Sequence, residues 1–294
     1  METRPEVALI TGASSGIGEA TAWRLSQVPG IQLVLVARRE DRLRDLVRKL
    51  PVPATYVAID LTEDEAPGRV LAHVQEHHEK LDLLVNNAGA SWRGTFGDEG
   101  WANVKRTMEL NFDSVVRLTE AMLPLLRQSA PSAIVNVSST AGRIARGGAG
   151  AYSASKFAIA GWTDALYLEE KPYGIHVGLV LPGFIETEGF PASEFTGKRS
   201  TRWIVADASA AAEAIYEAGP GGVAERWVPR PYRLLAVLMA DLTASNTPSE
   251  PAGACLAACS SMSLKRLFTS AICFSNRLDT SCWPSVAISW TLRA

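Results

Sequence analysis

Val7-Ala-Leu-Ile-Thr11-Gly-Ala-Ser-Ser-Gly-Ile-Gly18 is an apolar run that breaks into glycines at 12, 16 and 18. An amphipathic segment, Glu19 to Val28, follows directly, and Pro29-Gly30 closes it. The order reads as strand, glycine-rich turn, helix. Glycine permits a tight turn and lets backbone come close to a pyrophosphate. The helix that follows offers unpaired N–H groups and the positive end of its dipole to the anion. An ordinary glycine-rich turn is the bland alternative, but the position between strand and helix is where a phosphate-binding turn belongs. The spacing is G-x-x-x-G-x-G rather than the common dinucleotide G-x-G-x-x-G.

Outward from that turn, short apolar runs predict strands near 6–11, 31–37, 54–60, 81–86, 133–139, 175–181 and 223–228. Helical segments fill the gaps, the longest near 99–128 and 151–171. Strands alternating with helices predict an α/β fold: a doubly wound, Rossmann-type, parallel seven-stranded sheet with helices on both faces. A chain of 294 residues that is 47% hydrophobic can bury such a sheet on both sides. The net charge of −2 gives no nucleic-acid footprint. The basic stretch Arg38 to Lys49 is interrupted by Glu40, Asp41 and Asp45 and reads as a solvated helix face. His73, His77 and His78 have no supporting cysteines or carboxylates, so no metal site is expected. No signal peptide or membrane-spanning run is found, and the expected location is cytoplasmic.

A second constellation carries chemistry. Tyr152 and Lys156 stand four residues apart in Ala151-Tyr-Ser-Ala-Ser-Lys156, with Ser139 thirteen positions upstream of the tyrosine. On a helix, residues i and i+4 share a face, about 6 Å apart along the axis. An ammonium there can draw a tyrosine pKa down from about 10. A serine hydroxyl can hold the oxygen on which charge changes. Together they form an acid/base set for moving a hydride on or off a carbonyl carbon. The bare Y-x-x-x-K pattern is also common on solvated helices, so its weight depends on the rest of the chain.

With both constellations in hand, the chain resembles the short-chain dehydrogenase/reductases, in their compact single-domain branch with the glycine motif T-G-x-x-x-G-x-G. The resemblance covers about residues 5 to 235 and rests on six motifs in order. Among them, Asn86-Asn-Ala-Gly89 matches the family's N-N-A-G, and Ile134-Val-Asn-Val-Ser-Ser139 matches the strand carrying the serine. Pro182-Gly-Phe-Ile-Glu-Thr187 matches the segment that brackets the nicotinamide carboxamide. The resemblance implies catalytic roles for Asn111, Ser139, Tyr152 and Lys156, with Asn111 supporting a proton-relay water. It implies cofactor contacts from Gly12, Ser14, Ser15, Gly16, Ile17 and Gly18 on the turn. Asp60 and Leu61 would meet the adenine edge, and Asn87, Ala88 and Gly89 would lie beneath the adenosine. Tyr152, Lys156, Pro182, Gly183, Ile185 and Thr187 would face the nicotinamide half. Ser138 competes for the serine role. Strand alternation points the two serines to opposite sides, and the family's thirteen-residue spacing selects Ser139.

Cofactor choice is read from the end of the second strand. An NAD site usually places Asp or Glu there for the ribose 2′-OH. Here Ala37 is followed by Arg38 and Arg39. A guanidinium matches a 2′-phosphate in charge and can bind it bidentately, so NADP(H) is expected over NAD(H), with Arg38 favoured over Arg39. The other possibility is that both arginines decorate the start of the next helix.

The implied activity is NADP(H)-dependent interconversion of a carbonyl and a secondary alcohol. Trp92, Phe184 and Phe190, with Ser139 and Tyr152, are the expected substrate contacts, and the loop of about 184–205 covers them. The aromatics suggest an apolar or bulky substrate. One alternative is a non-catalytic NADP(H)-binding redox sensor, although such proteins usually lose the tyrosine or lysine. Another is an epimerase or dehydratase, which carries a different glycine motif and a larger C-terminal domain. A homodimer or homotetramer is implied by the family, through the two long helices. The domain is expected to span 1–242. The tail 243–294 holds all four cysteines, Cys255, Cys259, Cys273 and Cys282, and is expected to be a poorly structured extension or an out-of-frame read-through.

Overall fold

A computed structural model describes residues 4–145, 147–186 and 205–234. Seven parallel strands form one sheet in the order β3-β2-β1-β4-β5-β6-β9. They are β1 (Val7–Thr11), β2 (Gln32–Ala37), β3 (Ala54–Ala58), β4 (Leu83–Asn86), β5 (Ser132–Val137), β6 (Ile175–Pro182) and β9 (Glu225–Val228). The sheet is the doubly wound arrangement expected, and its strands lie within two residues of the sequence-derived bounds. The chain winds outward from β1 to β3, then returns across the sheet to β4. The resulting reversal between β1 and β4 opens a crevice at the carboxyl ends of the strands, where ligands bind in such folds.

The inner strands β1, β2, β4, β5 and β6 bury both faces, which is why they read as continuous apolar runs. Ala8, Ile10, Leu33, Leu35, Leu83 and Val85 pack against one helical layer. That layer is α1 (Gly16–Leu25), α2 (Glu40–Lys49) and α7 (Ala208–Ala218). The alternate residues Val7, Leu9, Val34, Val36 and Leu84 pack on the opposite layer. It is formed by α3 (Ala66–His77), α5 (Ser114–Gln128) and α6 (Gly150–Glu170).

The expected helix over 99–128 differs from the structure in a way that bears on the site. It is divided into α4 (Phe96–Met108), a π-helical turn at Glu109–Asp113, and α5. A π turn adds one residue to the helical repeat and re-aims what it carries, and such turns are frequent at functional sites. A further difference is a separate two-stranded parallel sheet, in which β7 (Phe184–Glu186) pairs with β8 (Val205–Asp207). The stretch between these strands, including Thr187, Phe190, Phe195 and Trp203, lies outside the described residues, as does the tail 243–294. Among the described residues, no helix is long and apolar enough to cross a membrane.

Candidate active site

The glycine turn joins β1 to α1 at the sheet reversal. Gly12 and Gly16 take φ values of +66° and +57°, the left-handed region where a side chain is strained. Gly18 serves a different need. A Cβ there would stand 2.3 Å from the Gly12 carbonyl oxygen and 2.7 Å from Asn87 Nδ2. Only glycine lets the helix approach the turn this closely. Thr11, which the sequence reading passed over, ties the turn to β4. Its hydroxyl donates to the Val85 carbonyl at 3.2 Å and accepts from the N–H groups of Asn87 and Ala88 at 2.9 and 3.0 Å. Asn87 Nδ2 donates to the Thr11 carbonyl at 2.9 Å, so this amide holds the turn in shape.

Ser15 precedes α1 in extended conformation, and its side chain makes no capping bond to the helix. Instead its hydroxyl accepts from Arg39 Nη2 at 2.6 Å, and Ser14 Oγ accepts from Nε and Nη2 of the same guanidinium at 3.2 Å each. The turn thus sets two hydroxyls, an arginine and the helix N-terminus around one cleft, which Ala37, Arg38, Asp60, Leu61, Ala88 and Gly89 also line. Arg39, the residue just before α2, is the one turned onto the serines. Arg38 is 68% exposed and pairs at 3.5 Å with Asp60. Burial pushes the Asp60 carboxyl up, but two Thr62 donors and Arg38 outweigh it and hold the group below its ordinary value.

The second cluster gathers at the carboxyl end of β5. Ser139 is 8% exposed. Its hydroxyl accepts from the Ala141 N–H at 3.1 Å and donates toward the Pro182 carbonyl at 3.3 Å. Lys156 is 4% exposed, and its Nζ donates to the Val137 carbonyl at 2.9 Å. Burial takes the Lys156 pKa down to about 8. Burial raises the Tyr152 pKa, and the Ser139 hydrogen bond only partly offsets it. The lowering of Tyr152 expected from Lys156 is therefore not produced by these atoms. The ammonium is engaged by Val137 and stands 5.8 Å from the tyrosine ring centroid.

Asn111 sits in the π turn, fully buried. Its Oδ1 accepts from the Ala90 N–H at 2.9 Å, and its Nδ2 donates to the Ala90 carbonyl at 2.9 Å and to Ser155 Oγ at 3.0 Å. Ser155 in turn donates to the Tyr152 carbonyl at 2.8 Å. Gly89 lies in the same corner, where a Cβ would be 3.1 Å from Asn111 Oδ1 and 3.4 Å from Lys156 Nζ. The segment after β4, the π turn and α6 thus converge on one point. Neither Ser155 nor Ala90 was foreseen; the only signal in the sequence was proximity to the tyrosine and to Asn-Asn-Ala-Gly.

The remaining expected residues are placed less uniformly. Pro182 and Ile185 are buried beside the site, and Gly183 leaves room for Tyr232, whose Cε2 would be 2.5 Å from a Cβ. Trp92 is half-buried; its carbonyl accepts from Asn103 Nδ2 at 3.4 Å and its ring lies 5.2 Å from the Arg106 guanidinium. Phe184 packs onto the cluster of Leu181, Trp227 and Tyr232. Thr187 and Phe190 fall outside the described residues.

A glycine turn at the sheet reversal, in a parallel sheet with helices on both faces, defines an α/β protein of the dinucleotide-binding kind. The family model described as short chain dehydrogenase matches residues 6–194. The chain belongs to the short-chain dehydrogenase/reductase family, oxidoreductases whose fold binds a nicotinamide dinucleotide. It is 37% identical over 190 residues to dehydrogenase/reductase SDR family member 7B of Xenopus laevis, covering 62% of this chain and 58% of that protein. The match thus spans less than two thirds of the frog protein. A 3-ketodihydrosphingosine reductase of Bacteroides thetaiotaomicron is 35% identical over 199 residues, covering 66% of this chain and 71% of that one. Among solved structures, a short-chain dehydrogenase from Streptomyces avermitilis aligns with a TM-score of 0.71 at 30% identity, covering 81% of this chain and 94% of its own.

Proposed function

We propose that this protein is an NADP(H)-dependent oxidoreductase that interconverts a carbonyl and a secondary alcohol. The observation that carries the reading is the convergence of three side chains: the Ser139 hydroxyl lowers the burial-raised pKa of Tyr152, and Lys156, one helical turn further along α6, is buried and held by the Val137 carbonyl at 2.9 Å. The residues present fit a dinucleotide: glycines at 12, 16 and 18 let the turn and helix pack closely beside the cleft, and Arg39 with Ser14 and Ser15 suits a phosphate. When bound, the cofactor supplies or accepts the hydride.

The chain's own residues do the rest. Ser139 holds and polarises the carbonyl oxygen from beside Tyr152, whose burial-raised pKa its hydroxyl lowers. Tyr152 gives its proton to that oxygen in reduction and takes it back in oxidation. General acid/base help of this kind contributes about 10²–10⁴ in rate. Burial keeps Tyr152 protonated, which suits a proton donor. Lys156 supplies positive charge one helical turn from Tyr152, 5.8 Å from its ring centroid, as the tyrosine loses its proton. Asn111 fixes the π turn against Ala90 and Ser155 and so sets the wall along which a water can return the proton.

Arg39 favours NADP(H) over NAD(H) through a 2′-phosphate. The substrate is an apolar or bulky ketone, with Trp92 as one wall; likeness to a protein named as a 3-ketodihydrosphingosine reductase supports a long-chain ketone. The protein works as a homo-oligomer in the cytoplasm. In support of the oligomer, Ala154, Phe157, Gly161, Ala165 and Leu168 form an exposed apolar stripe along α6, suited to a second copy. The test is NADPH and NADH oxidation over a panel of ketones and aldehydes that includes a 3-keto long-chain base, with Tyr152→Phe in parallel. NADPH-dependent turnover lost in the variant is expected. NADPH binding without turnover on any carbonyl, or on the matching alcohols with NADP⁺, would overturn the enzymatic reading.

A further inference from the structure

Ser138 and Ser139 are adjacent, both are buried, and they face different parts of the same site. Ser139 bonds the Pro182 carbonyl and lowers the burial-raised pKa of Tyr152. Ser138 is 3% exposed, and its hydroxyl donates at 2.8 Å to the backbone carbonyl of Lys156. That carbonyl sits on the inner side of α6, and the short turn Thr140–Gly142 presses against it. A Cβ at Gly142 would be 2.5 Å from Ser138 Oγ and 2.6 Å from the Lys156 carbonyl oxygen. Backbone, hydroxyl and turn are in contact with no room for another atom. On the other side of the same residue, Lys156 Nζ donates to the carbonyl of Val137, the residue just before Ser138. Residues 137 and 138 therefore grip Lys156 at both ends, one through its ammonium and one through its peptide.

We propose that Ser138 is a positioning residue for Lys156: it seats the lysine's peptide on the end of β5, with Gly142 as the glycine that makes the seat possible. The role rests on Lys156 working in the reaction proposed above, but the seat is a property of the chain and can be read without turnover. Without the Ser138 hydroxyl, the Lys156 peptide loses its hydrogen bond to the strand end. The bond from the ammonium to the Val137 carbonyl is then left to hold the residue on β5, and the ammonium gains access to water.

The test is Ser138→Ala in the full chain, with two readouts. The first is the titration of Lys156, followed by NMR of ¹³C-lysine-labelled protein and assigned with Lys156→Met. The second is the pH profile of kcat and KM with whichever carbonyl is turned over. The expected results are a Lys156 titration displaced upward toward that of a free lysine and a kcat three- to tenfold lower, about the rate equivalent of one hydrogen bond, at unchanged KM. A Lys156 titration coincident with wild type would overturn the proposal, whatever happens to the melting temperature, because a merely structural serine would change only the latter. If wild type turned over no carbonyl, the enzymatic reading would fail while the titration still decided the seat.

Discussion

Lys156→Met should leave the fold as stable as wild type at pH 7, or more stable, while removing activity. A lysine titrates near 10.5 when unfolded and at about 8 in this fold, because burial disfavours its charged form. At about 1.4 kcal/mol per pH unit, keeping the ammonium inside costs the folded state about 3 kcal/mol at any pH below 8. The sign follows from linkage. Between about 8 and 10.5 the unfolded chain binds the proton and the folded chain does not, so stability rises with pH. Above 10.5 the penalty is gone. Opposing it is the charge-assisted hydrogen bond to the Val137 carbonyl, worth roughly 1.5–3 kcal/mol. Methionine is unbranched and of similar length, so it fills the space with little strain. The net expectation at pH 7 is between no change and a gain of about 2 kcal/mol. The assay is urea unfolding of both proteins, without added cofactor, at pH 7 and pH 9.5. All other titrations are common to the two chains and cancel in the difference. The advantage of the variant should shrink, or turn into a deficit, as pH rises. A variant less stable by more than about 1 kcal/mol at pH 7, with a gap that does not move with pH, would refute the claim that Lys156 is held at the expense of desolvation.

Three other outcomes follow from the geometry. Arg39→Ala should weaken NADPH binding by roughly ten- to a hundredfold, the loss of charge-assisted hydrogen bonds to a phosphate, and leave NADH nearly unchanged; Arg38→Ala should do much less, and titration calorimetry with both cofactors reads the ranking. Gly18→Ala should destabilise the chain by about 1–3 kcal/mol, the usual cost of overpacking, because its Cβ would meet the Gly12 carbonyl and Asn87 Nδ2; thermal melts check this, and NADPH affinity should fall with it. Ser139→Ala should lower kcat by about a hundredfold or more, in the range of removing a hydrogen bond to a developing oxyanion, against three- to tenfold for Ser138→Ala; steady-state kinetics that reversed this order would overturn the division of labour between the serines.

What was legible in the chain follows from how local each constraint is. The glycine turn was readable because positive φ at Gly12 and Gly16 and the close approach at Gly18 are demands on backbone that only glycine meets. The strands were readable because burial on both faces leaves an unbroken apolar run. The π turn at Glu109–Asp113 was not, since an inserted helical residue leaves no trace in a 3.6-residue pattern; it is fixed by Asn111 reaching Ala90 and Ser155 across the fold. That Arg39, and not Arg38, turns onto the serines was also invisible. Both follow the same strand, and which one turns inward is set by the extended conformation of Arg39 at the start of α2 and by two serine hydroxyls about 25 residues away.

The two serines show where pattern reading stops short. Alternation predicted that Ser138 and Ser139 would face opposite ways, and the spacing selected Ser139 for the chemistry without giving Ser138 a role. A buried hydroxyl must find a partner or carry a desolvation penalty of about 1–3 kcal/mol, so a serine facing away from the chemistry still has to be bonded to something. Here the available acceptor is the peptide of Lys156, the residue whose ammonium the neighbouring Val137 carbonyl already holds. Satisfying an ordinary polar group and placing a functional one become the same contact. Adjacent polar residues at the end of a buried strand are thus better read as a pair, one facing the reacting atoms and the other fixing the backbone that presents them.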